Sequence, residues 1–130
     1  MATKSKNLLQ EALKEIEKKL SKETIEYVYG AYSVMSMNVV YYKFTNLATM
    51  DDYMNLPANL RMQIFSKHNL SKVNFEMICL AVAIIEGCGK CINAHEEELR
   101  KNKISSIKIQ TVARIAAIIT AIANVMRVKY

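Results

Sequence analysis

The sequence predicts an all-α fold, a compact helical bundle built as one domain over residues 1–130, and three observations support it. Three glycines and one proline in 130 residues are too few for the turns of a β-sandwich or barrel. Hydrophobic residues make up 52% of the chain and charged residues 23%, which excludes an intrinsically disordered polypeptide. Eight methionines, no tryptophan and abundant Ala, Ile, Leu, Lys and Glu favour helix over strand. The length suits one domain with a modest core.

Apolar periodicity places the elements. Leu9, Leu13, Ile16 and Leu20 recur at i, i+4, i+7 and i+11, predicting an amphipathic helix from Ser5 to Leu20. Tyr27, Tyr32, Met35, Val39 and Tyr42 fall at helical spacing between Thr24 and Lys43. That segment carries many β-branched and aromatic residues, but no turn signal divides it and its length favours helix. Thr45 to Pro57 reads as a connection broken by Asp51, Asp52 and Asn55, and Pro57 suits the start of a short helix through Leu60 and Ile64. A second break at His68, Asn69 and Ser71 leads into a helix from Ser71 to Glu86. A turn at Gly87 follows, then a helix from Cys88 to Asn102. Ser105 or Ser106 would cap a last helix turning Ile109, Val112, Ile115, Ala116, Ile119, Ile122 and Ala123 inward.

Several function classes recede on charge and patterning. The net charge is +6, but the basic residues are scattered among acids and no nucleic-acid motif accompanies them, so nucleic-acid binding is not expected. The longest unbroken apolar run, Met77 to Ile85, is short of the roughly 20 residues that span a bilayer, so no membrane association is expected either. Met1 to Lys22 mixes glutamates with lysines and has no apolar h-region. The expectation is therefore no secretory signal and a cytoplasmic protein.

Chemistry concentrates between residues 74 and 95. In a helix starting at Cys88, Cys91 stands at i+3 and His95 at i+7, so two thiols and an imidazole share one face with Ile92 and Leu99. In a reducing compartment a Cys-x-x-Cys pair points to redox chemistry or metal binding. The helix N-terminus favours thiolate at Cys88, whereas His95, one turn from Cys91, favours proton abstraction there, and Lys90 adds positive charge nearby. On the second count Cys91 is expected to attack and Cys88 to resolve. Gly87 and Gly89 flank Cys88 and are expected to permit a tight turn and close approach of a substrate. Glu76 is the one charged residue between Lys72 and Glu86 in a helix apolar nearly all round. If the two helices fold as a hairpin, position 76 lies level with position 98, within about a turn of His95. A water bridging Glu76 and His95 would complete a carboxylate–imidazole–thiol relay.

Other readings stand beside this one. The cysteines can be ordinary core residues, and Glu76 a satisfied structural carboxylate. Cys88, Cys91 and His95 offer three zinc ligands, with Cys79 as a possible fourth, although zinc sites usually draw on separated pairs or loops and the chain has no second pair. Cys79 fits better as a small core hydrophobe, and His68 as an exposed side chain in a polar break.

The run Glu76-x11-Cys88-x2-Cys91-x3-His95 resembles the active-site motif of the AhpD alkylhydroperoxidases, within the carboxymuconolactone decarboxylase-like superfamily. The segments Met35-Ser-Met-Asn-Val-Val-Tyr-Tyr42, Leu60-Arg-Met62, Asn74-Phe-Glu76 and Asn93-Ala-His-Glu96 are similar to that family in the same order, so the likeness covers about Gly30 to Met126. The resemblance implies an all-α homo-oligomer, a trimer or hexamer, with a helical hairpin carrying the thiols. It implies an antioxidant oxidoreductase acting on hydroperoxides, with Cys88 and Cys91 as the redox pair and Glu76 and His95 as the proton relay. No cofactor or metal is implied to be bound. The lipoyl group of a 2-oxoacid dehydrogenase component is the implied electron donor, and an AhpC-like peroxiredoxin the implied partner. Some members carry a further histidine between the cysteines where this chain has Lys90. The N-terminus is also shorter than in full-length members, so part of the usual fold or subunit interface is expected to be missing. Two alternatives remain: a decarboxylase of the same superfamily that does not need the thiols, and a zinc-stabilised binding module.

Overall fold

A computed structural model describes residues 2–63 and 70–129, and among them there are six helices and no strand. They are α1 (Ala2–Glu17), α2 (Lys22–Leu47), α3 (Asp52–Asn55), α4 (Lys72–Glu86), α5 (Gly89–Lys101) and α6 (Ser106–Lys129). The all-α expectation holds. α4 is the hub, with α2, α5 and α6 packed against it.

The hub follows from its sequence. Ser71 accepts a hydrogen bond from the Asn74 N–H through its hydroxyl at 3.2 Å, an N-cap of the kind that stabilises a helix by about 1 kcal/mol. Phe75, Cys79, Leu80, Val82 and Ala83 are then buried on several sides of α4, which suits a helix enclosed by three neighbours. α2 is similarly capped by Ser21, whose hydroxyl accepts from the Thr24 N–H. Its buried residues Ala31, Met35, Asn38, Val39 and Thr45 form one stripe. The core between α2, α4 and the start of α5 consists of Ala31, Met35, Val39, Phe75, Cys79, Val82 and Ala83 together with Cys88 and Cys91.

Four expectations need correction. α2 runs a turn beyond Lys43, because the Thr45 hydroxyl donates back to the Tyr42 carbonyl at 3.1 Å and so fits inside the helix. The anticipated connection from Thr45 thus begins in helix and also holds the one-turn α3. Pro57 does not start a helix: Pro57 to Met62 is irregular, with Asn59 at a φ of 53°. Ile64, His68 and Asn69 lie outside the described residues. α1 ends at Glu17 rather than Leu20, and Ile16 and Leu20 of its anticipated apolar face are exposed.

The largest correction concerns α6. Ala116 is buried and Ile109 and Val112 are half-buried, but Ile115, Ile118, Ile119, Ile122 and Val125 are each more than half exposed, and Ala123 is exposed too. α6 is apolar nearly all round while one neighbour, α4, covers a single stripe of it. By length and composition alone, Ser106–Val128 would also suffice to cross a membrane, although Thr111, Arg114 and Thr120 keep it from being an unbroken apolar run. Helices at subunit interfaces share that composition. The hydroxyl of Ser106, one of the two expected caps, accepts instead from the Arg100 guanidinium at 2.9 Å, tying the end of α5 to the start of α6.

Candidate active site

The site is built on the α4–α5 hairpin. Gly87 adopts the left-handed conformation (φ 71°) that ends α4. Its N–H bonds the Ile84 carbonyl while the Cys88 N–H bonds the Ala83 carbonyl, satisfying the last carbonyls of the helix. A side chain at Gly87 would be strained by that φ. Gly89 has no positive φ, so of the two glycines flanking Cys88 only Gly87 is required by the turn.

Reversing the chain in so few residues makes Cys88 the N-cap of α5. Its sulfur accepts from the Cys91 N–H at 3.3 Å. Cys88 and Cys91 are joined as a disulfide, with Cα atoms 5.3 Å apart, and the two residues are only 7% and 6% exposed. When the pair is reduced, the same N–H and the unpaired amides of the first helical turn favour thiolate on Cys88.

Glu76 and His95 meet directly. His95 Nδ1 lies 2.7 Å from Glu76 Oε2, and the side chains are 16% and 14% exposed. No bridging water is needed, because the hairpin sets position 76 opposite 95 rather than 98. Lys72, one turn earlier on α4, correspondingly pairs with Glu98. With Nδ1–H donating to the carboxylate, the imidazole is held in the tautomer whose Nε2 is free to accept a proton.

Two clefts open beside the disulfide. One, of about 300 Å³, has Cys91 and His95 in its wall together with Met35, Asn38, Tyr42 and Met62, and the Lys90 ammonium stands over the Tyr42 ring at 4.6 Å. The other, of about 200 Å³, borders Cys88, with Lys43 and Leu47 among its walls. The Met35–Tyr42 segment resembles the family, but the sequence does not reveal that its Asn38 stands in the wall of the Cys91 cleft. A signal was present: Asn38 interrupts the buried stripe of Met35, Val39 and Tyr42, and a polar residue on such a stripe calls for a reason.

Cys79 behaves as expected of a core residue. It is fully buried, and burial, followed by the nearby Glu76 charge, pushes its thiol up to about 12. It therefore stays protonated and unreactive at any ordinary pH.

The profile of the Carboxymuconolactone decarboxylase family matches residues 51–129. The chain belongs to this family. Within it, the chain is 41% identical over 123 residues to the alkyl hydroperoxide reductase AhpD of Brucella anthropi, an alignment covering 95% of this chain and 70% of that protein. It is 40% identical over 124 residues to AhpD of Coxiella burnetii, with the same coverage. AhpD of Maricaulis maris is 44% identical over 112 residues, covering 86% of this chain and 65% of the relative. The family match spans α3 to α6 and so contains the whole hairpin. The AhpD relatives extend the likeness across α2, which supplies the other wall of the Cys91 cleft.

Proposed function

We propose that this chain is a thiol-dependent hydroperoxide reductase that cycles Cys88 and Cys91 between dithiol and disulfide. The observation that carries the reading is a disulfide in the wall of a cleft it shares with a histidine anchored by Glu76 at 2.7 Å. The names of the AhpD relatives agree with it.

In this reading His95 Nε2 takes the Cys91 proton, with the Glu76 carboxylate stabilising the imidazolium. The Cys91 thiolate attacks the distal oxygen of a hydroperoxide, the O–O bond breaks, the alkoxide leaves as the alcohol with the proton from His95, and Cys91 becomes a sulfenic acid. Cys88, a thiolate at its N-cap position, attacks that sulfur, the bond closes and water leaves. In the reductive direction a donor thiolate attacks Cys91, because Cys88 is then the stabilised leaving group. Both half-reactions thus use the Cys91 sulfur and its cleft.

The reading extends to surroundings. A lipoyl dithiol on a 2-oxoacid dehydrogenase component would restore the pair in the cytoplasm, and an AhpC-like peroxiredoxin would receive its electrons. The bare apolar face of α6 supports a homo-oligomer, a trimer or hexamer, in which copies cover it. Sedimentation equilibrium is expected to give a multiple of 14.8 kDa; a monomer at micromolar concentration would overturn the assembly.

Thiol counting tests the chemistry. The reduced native protein is expected to show two reactive thiols per chain and, after one equivalent of tert-butyl hydroperoxide, none. Cys79 should appear only on denaturation. Two thiols persisting in the presence of peroxide would refute the proposal.

A further inference from the structure

The least satisfied polar side chain beside the sulfur pair is Asn38, and no part of the thiol and proton relay uses it. It lies on the buried stripe of α2, 7% exposed, in the wall of the cleft that holds Cys91 and His95. Its Nδ2 donates to the Met62 thioether sulfur at 3.1 Å, and its Oδ1 is closed to water with no hydrogen-bond partner among the described residues. A thioether is a weak acceptor, and a buried carbonyl without a donor destabilises the fold. Leucine, similar in shape and apolar, would relieve both defects, so packing does not explain an amide here.

Met62 lines the same cleft, so Nδ2 points to the cleft side and its present acceptor is one that an oxygen would displace. Met35, Met62 and Ala94 contribute apolar wall to that cleft.

Resting on the function proposed above, we infer that Asn38 binds the hydroperoxide in the Cys91 cleft, its amide N–H exchanging the Met62 sulfur for the proximal peroxide oxygen while the alkyl group lies on the apolar wall. The step then balances. The Cys91 thiolate donates an electron pair to the distal oxygen, which keeps its hydrogen, and the S–O bond forms as the O–O bond breaks. Sulfur is oxidised to the sulfenic acid and the peroxide is reduced to an alkoxide. The negative charge develops on the oxygen that Asn38 holds, and the alkoxide leaves as the alcohol with the proton from the His95 imidazolium. A donor aimed at developing charge acts on the transition state more than on the bound substrate. Attack of a thiol on the disulfide develops no charge on oxygen, so Asn38 has no part in that half-reaction.

The test compares the wild type with Asn38→Leu and Asn38→Ala in three measurements on the full chain. These are the rate of disulfide formation when pre-reduced protein meets tert-butyl hydroperoxide, the rate of disulfide reduction by dithiothreitol, and the melting temperature. The expected result is a fall of about tenfold to a hundredfold in the peroxide step for both variants. Reduction by dithiothreitol should stay within about twofold, and Asn38→Leu should melt no lower than the wild type. A wild-type peroxide rate in either variant would overturn the assignment, as would an equal fall in both half-reactions together with a lower melting temperature. A wild type that forms no disulfide with peroxide would instead refute the underlying function, and the inference with it.

Discussion

Cys91→Ser is expected to abolish hydroperoxide turnover outright, because a serine hydroxyl can neither be oxidised to a sulfenic acid nor close a disulfide. Cys88→Ser should behave differently. Its Cys91 thiol still reaches the cleft with His95, so it should consume one equivalent of peroxide and stop at a sulfenic acid with no internal thiol to resolve it. A cyclic diketone that labels sulfenic acids should therefore add once per chain to peroxide-treated Cys88→Ser and not to Cys91→Ser, read by mass spectrometry. A mixed disulfide formed at Cys91 should also persist in this variant, since the Cys88 thiolate, which the Cys91 N–H stabilises at 3.3 Å, is no longer there to attack the Cys91 sulfur and release the donor. The opposite labelling pattern would exchange the two roles. Full activity in both variants would return the chain to thiol-independent chemistry, such as that of a decarboxylase.

The parts of this site that were legible in advance are those written in local sequence. Ser71 announces the start of α4, Gly87 supplies the left-handed turn, and the spacing of Cys88, Cys91 and His95 places them on one helical face. Because the hairpin is short, one long-range contact followed from local geometry: Glu76 had to lie near His95. The register was off by about one turn, since the helix ends by bonding Cys88 back to Ala83 and the chain doubles back sooner than a turn centred on Gly87 would allow. What stayed hidden depends on partners remote in sequence. Asn38 meets Met62 across 24 residues, and no pattern within α2 names that neighbour. For α6 the apolar period indicates only that the helix would rather be covered. How much of it α4 covers is a tertiary fact, and the face from Ile115 to Val125 is left bare. The start of the connection at Thr45 misleads for a different reason: Asp51, Asp52 and Asn55 interrupt the period, yet the helix persists to Leu47, with the Thr45 hydroxyl satisfied on the preceding turn.

Glu76→Gln is expected to give a large loss although it keeps both sulfurs. The amide preserves volume and can still accept from His95 Nδ1–H, so the ring should keep its orientation and the fold its stability to within about 1 kcal/mol. What disappears is the negative charge that, in the proposed relay, stabilises the imidazolium formed when His95 removes the Cys91 proton. Oxidation of the reduced pair by tert-butyl hydroperoxide should slow by about a hundredfold, within the range that general acid–base catalysis supplies. Stopped-flow measurement across pH makes the assignment specific. At alkaline pH, where solvent can deprotonate Cys91 without His95, the variant should regain part of the lost rate, whereas an orientation defect would persist unchanged. Glu76→Leu separates position from charge further. It leaves the His95 Nδ1–H without an acceptor in a largely enclosed place and should both slow oxidation and lower stability by about 1–3 kcal/mol. Glu76→Gln oxidising at the wild-type rate near neutral pH would show that the 2.7 Å contact holds the hairpin together and takes no part in proton transfer.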